Sequence, residues 1–446
     1  MILLLSTYEL GRQPFGLASP AAWLRRAGFA VRPHDLSLGR LPAEALDGVT
    51  LVAVHLPMHT ATRLALPVLA ALRRRRPALP ICAYGLYAPL NRAQLEAAGV
   101  TAVLGPEAEA DLVDLATRAM AGEPLSPPPA AALPRLAFIA PDRGGLPPLT
   151  AYAKLRRADG RLVTAGATEA SRGCKHRCRH CPIVPVYDGQ FRVVPVEVVL
   201  ADIGAQVAAG AGHITFGDPD FLNGPTHARR LVEALHAAWP ALTYDVTIKI
   251  EHLRAHDGLL PVLRDTGCAF VTTAVESLDD EVLAKLDKGH TAAEVEAVVA
   301  RCRDLGLMLA PTFIAFTPWT TLAGYARFLD DIERLDLVAH VAPVQLTLRL
   351  LVTWQSRLLE LDDVRARIGA FDGTSLTFPW RHDDPAVDQL QRDTMRLVGL
   401  RPDADRAETF AAIRGLADVA LGRTPRPEPP RLARAAIPYL TEPWYC

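Results

Sequence analysis

The sequence predicts an α/β protein in three parts. These are an N-terminal open parallel α/β domain of Rossmann-like winding, a partial (β/α)6 barrel of TIM type, and a small helical C-terminal region with an extended tail. Three observations predict it. Apolar runs alternate with helical periodicity over the first 120 residues. The same alternation resumes near residue 162 with a longer period. Prolines crowd between the two alternating stretches and again before the C-terminus. At 446 residues, half of them apolar and 22% charged, the chain has ample material for buried cores.

The elements follow in order. Apolar runs at 1–6, 28–32, 50–57, 79–84 and 100–105 read as strands, with helical patterns at 18–27, 59–75, 89–98 and 106–121. Gly28, Pro77 and Gly99 punctuate the junctions. This gives a first domain over 1–122, a parallel sheet with helices on both faces. Residues 123–160 open with eight prolines between 124 and 148, which neither a helix nor a central strand tolerates, so they read as a semi-rigid linker.

The barrel is expected over 161–358. Its strands are predicted at 162–170, 212–218, 242–250, 269–276, 307–316 and 341–350. Its helices are predicted at 195–209, 225–238, 257–266, 279–286, 291–305 and 320–336. In strand 242–250, Asp245, Thr247, Lys249 and then Glu251 share one face, while Val246, Ile248 and Ile250 share the other. Gln345, Thr347 and Arg349 repeat the pattern. An outer barrel face packs on helices and must be apolar, so the polar face points into the lumen and implies a ligand cavity. Residues 359–446 form the C-terminal region, with helices at 390–400 and 407–421 and a proline-spaced tail from Pro425.

Composition excludes several functions. Lys+Arg is 48 and Asp+Glu 49, for a net charge of -1, so there is no basic surplus for nucleic acid. Five Lys against 43 Arg hints at GC-rich coding. No apolar run is long enough for a membrane span. Met1 leads directly into apolar residues 2–5, which read as a buried strand rather than a signal peptide, and cytoplasm follows as the expected location. Seven cysteines, an odd number with three inside eight residues, suit a reduced compartment and a metal site better than a disulfide framework.

Those three are Cys174, Cys178 and Cys181, spaced C-x3-C-x2-C. Three soft thiolates converging from one loop suit an iron–sulfur cluster or zinc. Structural zinc wants a fourth ligand, and His176 and His180 make no familiar finger. A [4Fe–4S] cluster on three cysteines leaves one iron open. The segment Glu169-Ala-Ser-Arg-Gly-Cys-Lys-His-Arg-Cys-Arg-His-Cys-Pro182 resembles the opening motif of the radical S-adenosylmethionine (radical SAM) superfamily, and the resemblance spans roughly 165–350. It implies that the open iron binds the amino and carboxylate groups of SAM. One electron then cleaves a C–S bond, usually giving a 5'-deoxyadenosyl radical that abstracts hydrogen from a substrate. The family usually has an aromatic residue before the third Cys; here it is His180, whose imidazole can stack on adenine.

The resemblance implies further cofactor contacts. The end of the second barrel strand, with Gly217, Asp218 and Asp220, is similar to the family segment that meets the SAM amino group. Glu276, at the end of the fourth strand, is similar to the carboxylate that meets the SAM ribose or methionine part. Lys249, Glu251 and Arg349 are candidates for binding SAM or substrate, and Lys288-Gly289-His290 resembles a recurring family turn. Each has a structural counterpart reading as a turn, a helix cap or an internal salt bridge.

An open α/β domain before such a barrel resembles the cobalamin-binding domain of cobalamin-dependent radical SAM enzymes. The Asp-x-His-x-x-Gly signature is absent, since His34, His55 and His59 lack its frame, and a degenerate scaffold is the expected role. The ending Leu440-Thr-Glu-Pro-Trp-Tyr-Cys446 resembles the approach to the tail of CUAEP/CCAEP-tail radical SAM proteins. This leads to the expectation that the native chain continues with selenocysteine and that Cys446 is catalytic. The expected partners are a polar small-molecule substrate and a reducing donor such as flavodoxin or ferredoxin. Three rival functions stand beside radical-based hydrogen abstraction: cobalamin-dependent methyl transfer, 3-amino-3-carboxypropyl transfer, and a non-catalytic zinc protein.

Overall fold

The computed structural model describes residues 1–125, 133, 135–401, 405–425 and 438–441. Five short apolar runs at the N-terminus become β1 (Ile2–Ser6), β2 (Val31–Asp35), β3 (Leu51–His55), β4 (Ile81–Tyr84) and β5 (Ala102–Val103). All pair in parallel, in the order β2-β1-β3-β4-β5. Strand alternation splits the apolar side chains between two layers. Leu3, Leu5, Val52 and Val54 pack with one set of helices, and Ile2, Leu4, Leu51 and Ala53 with the other.

The helix expected at 59–75 is His59–Arg75, as read. The strand expected at 28–32 begins later, at Val31, because the preceding helix consumes those residues in its C-terminal cap. Gly28 adopts φ +88°. Its N–H donates to Arg25 O, and that of Phe29 to Leu24 O, the double bond of a left-handed helix terminus.

The second sheet contains β6 (Lys154–Arg156), β7 (Leu162–Thr168), β10 (His213–Phe216), β11 (Thr243–Thr247), β12 (Cys268–Glu276), β13 (Leu309–Phe313) and β14 (Tyr439–Leu440). A separate hairpin pairs β8 (Ser171–Gly173) with β9 (Phe191–Val193). The parallel part runs β7-β10-β11-β12-β13, with β6 and β14 added antiparallel at the β7 edge. It is a curled half-barrel. Helices Val196–Ala208, Pro225–Ala238, Ala292–Leu305 and Leu322–Arg334 follow the expected periodicity closely and cover one continuous core.

The sixth strand expected at 341–350 is a correction. Pro343–Leu346 is a 3-10 turn, and only Phe316 and Arg349 form a bridge there. Pro343 has no N–H for a ladder. The Gln345 side chain takes over the edge of β13 by accepting from Phe313 N–H at 3.1 Å. The strand expected at 242–250 ends at Thr247, so Lys249 caps the following helix Ile250–Ala255 and Glu251 lies inside it. Asp245 is buried, accepting from Thr215 Oγ1 at 2.6 Å and lying 2.8 Å from His213 Nε2.

Candidate active site

β7 ends at Thr168, and the chain turns through Glu169 into β8, whose last residue is Gly173. There φ is +78°, and a Cβ would lie 2.5 Å from Gln190 O and from the Tyr187 ring. Only glycine fits that position. The hairpin clasps the loop 174–190 at its base, and the cysteines follow immediately. Asn223 ties the entry, accepting from Lys175 N–H and donating to Gly173 O. Arg357 and Ser356 hold the Arg177 and Arg179 carbonyls. Arg179 N–H in turn donates to Leu286 O. The loop backbone is therefore fixed from three directions before any ligand arrives.

Cys174, Cys178 and Cys181 all carry free thiols. Burial pushes the Cys174 thiol up to about 11 and Cys181 up to about 12, with the neighbouring cysteines adding to both shifts. Two cations oppose these shifts: Lys288 acts on Cys181, and Lys249 acts on Cys174, its Nζ lying 3.6 Å from Cys178 Sγ and 3.4 Å from Glu251 Oε2. Three mutually repelling thiolates form here only against an added positive charge. An iron–sulfur cluster supplies that charge, so the donor set fits one.

Glu276 ends β12 at φ +70°, beside a register break in the β12–β13 pairing. Its Oε1 lies 3.2 Å from His180 Nε2 and 3.4 Å from Lys288 Nζ. Burial pushes this carboxyl up, but Lys288 and His180 outweigh it and hold the group at about 2. An ionised carboxylate in a left-handed backbone position is stored strain next to the cysteine loop. Gly289, with φ +74°, completes the turn; a Cβ there would meet Glu251 Oε2 at 2.8 Å.

The two aspartates expected near SAM are both absorbed by the protein. Asp218 accepts from Ala170 N–H at 2.9 Å and Ser171 Oγ at 2.5 Å, and burial raises its carboxyl to about 7. Asp220 is fully buried, accepts from Leu222 N–H and Lys249 N–H, and lies 2.8 Å from His252 Nδ1. Arg349 is paired within the protein. Its guanidinium stacks on Trp380 at 3.4 Å and binds Asp388 and Trp380 O, fastening the C-terminal region to the barrel. His180, Glu276, Lys249 and Glu251 are thus brought to the cysteine loop, with Gly217 at the end of β10. Cys446, with Trp444 and Tyr445, lies outside the described residues.

Residues 168–318 match the family model described as the Radical SAM superfamily. The chain carries a radical SAM domain. The ribosomal protein uS12 methylthiotransferase RimO of Geobacter sulfurreducens is 25% identical over 223 residues, covering 45% of this chain and 48% of that protein. The tRNA-2-methylthio-N(6)-dimethylallyladenosine synthase of Haemophilus influenzae is 22% identical over 191 residues, 40% of each. The chain thus spans about half the length of the curated relatives it matches. Among solved structures, the cobalamin-dependent SAM radical enzyme OxsB, with aqua-cobalamin and SAM bound, covers 94% of this chain and 71% of its own at TM-score 0.70 and 13% identity. The radical SAM methyltransferase TsrM of Kitasatospora setae, with tryptophan and a SAM analogue, covers 75% and 71% at TM-score 0.59 and 19% identity. These likenesses concern the fold. No helix among the described residues is long and apolar enough to cross a membrane.

The radical SAM domain meets the N-terminal domain at a cavity of about 230 Å³. Loops after β1, β3 and β4 line it from one side, through Arg12, His55 and Tyr84. Glu169, Arg172 and Gly217 line it from the other. Arg172 bridges the two sides, bonding Glu109 at 2.7 Å and Glu169 at 2.9 Å. Sequence reasoning missed this seam. Arg172 stood inside the quoted motif, but its partner Glu109 sits 63 residues upstream, and no local pattern links them. Nothing in the sequence distinguishes Arg12 from 42 other arginines.

Proposed function

We propose that this radical SAM enzyme holds a [4Fe–4S] cluster on Cys174, Cys178 and Cys181 and cleaves SAM reductively, acting on a small polar molecule in the cavity between its two α/β domains. The observation that carries the reading is the set of three free thiols on one clamped loop at the C-terminal end of β7. When bound, the cluster supplies the electron and the open coordination site for SAM. The chain's own residues do the rest. Lys249 places its ammonium 3.6 Å from Cys178 Sγ. Glu276, kept ionised by Lys288, offers an acceptor for the hydroxyl or ammonium groups of SAM, and His180 orients it. Gly217 follows β10, where a Cβ would make ordinary contacts with Thr168 O at 3.5 Å, Glu169 Cγ at 3.6 Å and Arg12 Nη1 at 3.8 Å. The electron comes from a reducing donor of the flavodoxin or ferredoxin class.

The test is to reconstitute the protein anaerobically, count iron and sulfide, and identify the product of SAM with dithionite. About four irons with 5'-deoxyadenosine supports the proposal. Single Cys→Ala changes at 174, 178 or 181 should each abolish it. Four irons with 5'-methylthioadenosine would instead indicate aminocarboxypropyl transfer. Stoichiometric zinc without iron would indicate a zinc protein.

A second reading, cobalamin-dependent chemistry, is favoured by one observation. The cavity lies at the C-terminal ends of β1 and β3, the switch point of a 2-1-3-4-5 sheet, where open α/β folds bind cofactors. The lining does not fit the group. A cavity of about 230 Å³ falls below the roughly 300 Å³ at which ordinary drug-sized ligand sites begin, and a corrinoid with its nucleotide tail is larger than such ligands. His55, the imidazole at its wall, is pressed against Gly16, where a Cβ would overlap the ring, and it faces Glu9 at 3.3 Å. Corrinoid absorbance in protein grown with cobalamin would favour this second reading.

A further inference from the structure

The cavity at the domain seam is lined by Arg12, which makes no ion pair within 4.0 Å among the described residues. Arg12 sits in the loop after β1, where its own N–H closes a turn on Glu9 O at 3.0 Å. Its Nε is buried without a hydrogen-bond partner. Among the described residues no carboxylate lies within 4.0 Å of its guanidinium; Asp245, Glu9 and Glu169 act on it only at longer range. Arg172 takes Glu109 and Glu169. Glu9 accepts from Phe15 N–H through Oε1, while its buried Oε2 lies 3.3 Å from His55 Nδ1 and has no hydrogen-bond partner. Burial works against the charge on Arg12, yet a guanidinium does not give up its proton near neutral pH. A partly buried, unpaired guanidinium is a costly feature unless a ligand completes it.

Its position says which ligand. Nη1 lies 3.8 Å from where a Cβ would stand on Gly217, so the guanidinium reaches from the N-terminal domain across to the end of β10. The fork of a guanidinium matches a carboxylate in two parallel hydrogen bonds. Glu9, three residues earlier on the same cavity wall, offers the complementary anion for an ammonium. A cavity of about 230 Å³ has room for a small molecule such as an amino acid.

We infer that this seam binds a zwitterionic, amino-acid-sized substrate, its carboxylate held by Arg12 and its ammonium by Glu9. The inference rests on the radical SAM reading and names its substrate class. It also gives the N-terminal domain a substrate-binding role in place of a corrinoid-binding one.

The test uses the full-length, cluster-loaded protein with SAM present. The probes are the twenty standard L-amino acids and their methyl esters, followed by calorimetry. At least one free amino acid should bind, and its ester should bind about 10- to 100-fold more weakly, the worth of one charged hydrogen-bonded contact. Arg12→Met should remove that discrimination between acid and ester, and Arg12→Lys should restore part of it. The comparison of acid with ester in the unaltered protein holds even if a variant fails to fold. Absence of binding by every amino acid, or equal binding of acid and ester, overturns the inference. So does a loss of SAM affinity in Arg12→Met equal to the loss for the amino acid, which would make Arg12 a SAM ligand. A corrinoid occupying the seam overturns it too. Failure of the radical SAM reading itself appears separately, as protein that makes no 5'-deoxyadenosine from SAM and dithionite alone.

Discussion

Glu276 and Asp218 are buried carboxyls driven in opposite directions by what stands next to them. Glu276 meets Lys288 and His180 and is held at about 2. Its pairing stabilises the fold fully above the ordinary 4.5 and loses that contribution as pH falls toward 2. Glu276→Gln leaves the buried Lys288 without a counter-charge. That should lower unfolding stability by about 3–5 kcal/mol, read from the denaturant midpoint, and weaken SAM binding measured on the cluster-loaded protein. Asp218 pairs with no cation among the described residues; it accepts from Ala170 N–H, Ser171 Oγ and the Ser171 backbone, and burial raises it to about 7. The folded state therefore holds its proton where the unfolded chain has lost it. Stability should fall as pH rises from 3.8 to about 7 and level off above. Asp218→Asn cannot ionise and should flatten that slope, a difference of up to a few kcal/mol across the window. Equal slopes in the two proteins would refute this.

At the scale of elements, the cysteine loop depends on the β8–β9 hairpin that closes it. Gly173→Ala puts a methyl 2.5 Å from Gln190 O and Tyr187 in a left-handed backbone position. The expected result is a loss of iron per chain after reconstitution, with destabilisation of about 1–3 kcal/mol or more. Full iron loading with unchanged stability would show that the clasp is dispensable. Pro343 illustrates the opposite lesson. Polar alternation at Gln345, Thr347 and Arg349 imitates a strand, but a missing N–H and a side-chain acceptor at Gln345 replace the ladder with a 3-10 turn. Gln345 and Thr347 still bury, whereas Arg349 is half-buried against Asp388 and Trp380. The 59–75 and 225–238 helices were legible to the residue because their apolar stripes are long and uninterrupted.

For the whole molecule, Arg172 joins the radical SAM domain to the N-terminal domain through Glu109, with Ser19 also bonded to that carboxylate. Its guanidinium lies over Phe15 and Phe138 as well. Arg172→Met removes the only partner cation recorded for Glu109 among the described residues and leaves that carboxylate buried. Breaking such a buried pair should cost about 3–5 kcal/mol. The loss should fall on the seam, so thermal unfolding of the variant should separate into two transitions. A single transition at the wild-type temperature would show that the Arg172–Glu109 pair is not what holds the two domains together.

What the sequence determined by itself are the features that repeat or cluster locally. Alternation of strand and helix patterns named both α/β units. The spacing of Cys174, Cys178 and Cys181 named the metal-binding loop and, through its resemblance, the superfamily that the matched domain bears out. These are short-range signals, carried by periodicity and by neighbours a few residues apart. Tertiary structure alone decided which charges meet. It turned Asp218 and Asp220 inward to hold the fold, paired Arg349 with Asp388, set Lys288 on Glu276, joined Arg172 to Glu109, and left Arg12 near Gly217 with no ion pair among the described residues. The physical reason is range. A side chain's charge state and partners depend on groups tens to hundreds of residues away in the chain, whose approach is set by packing and register rather than by any pattern the sequence displays.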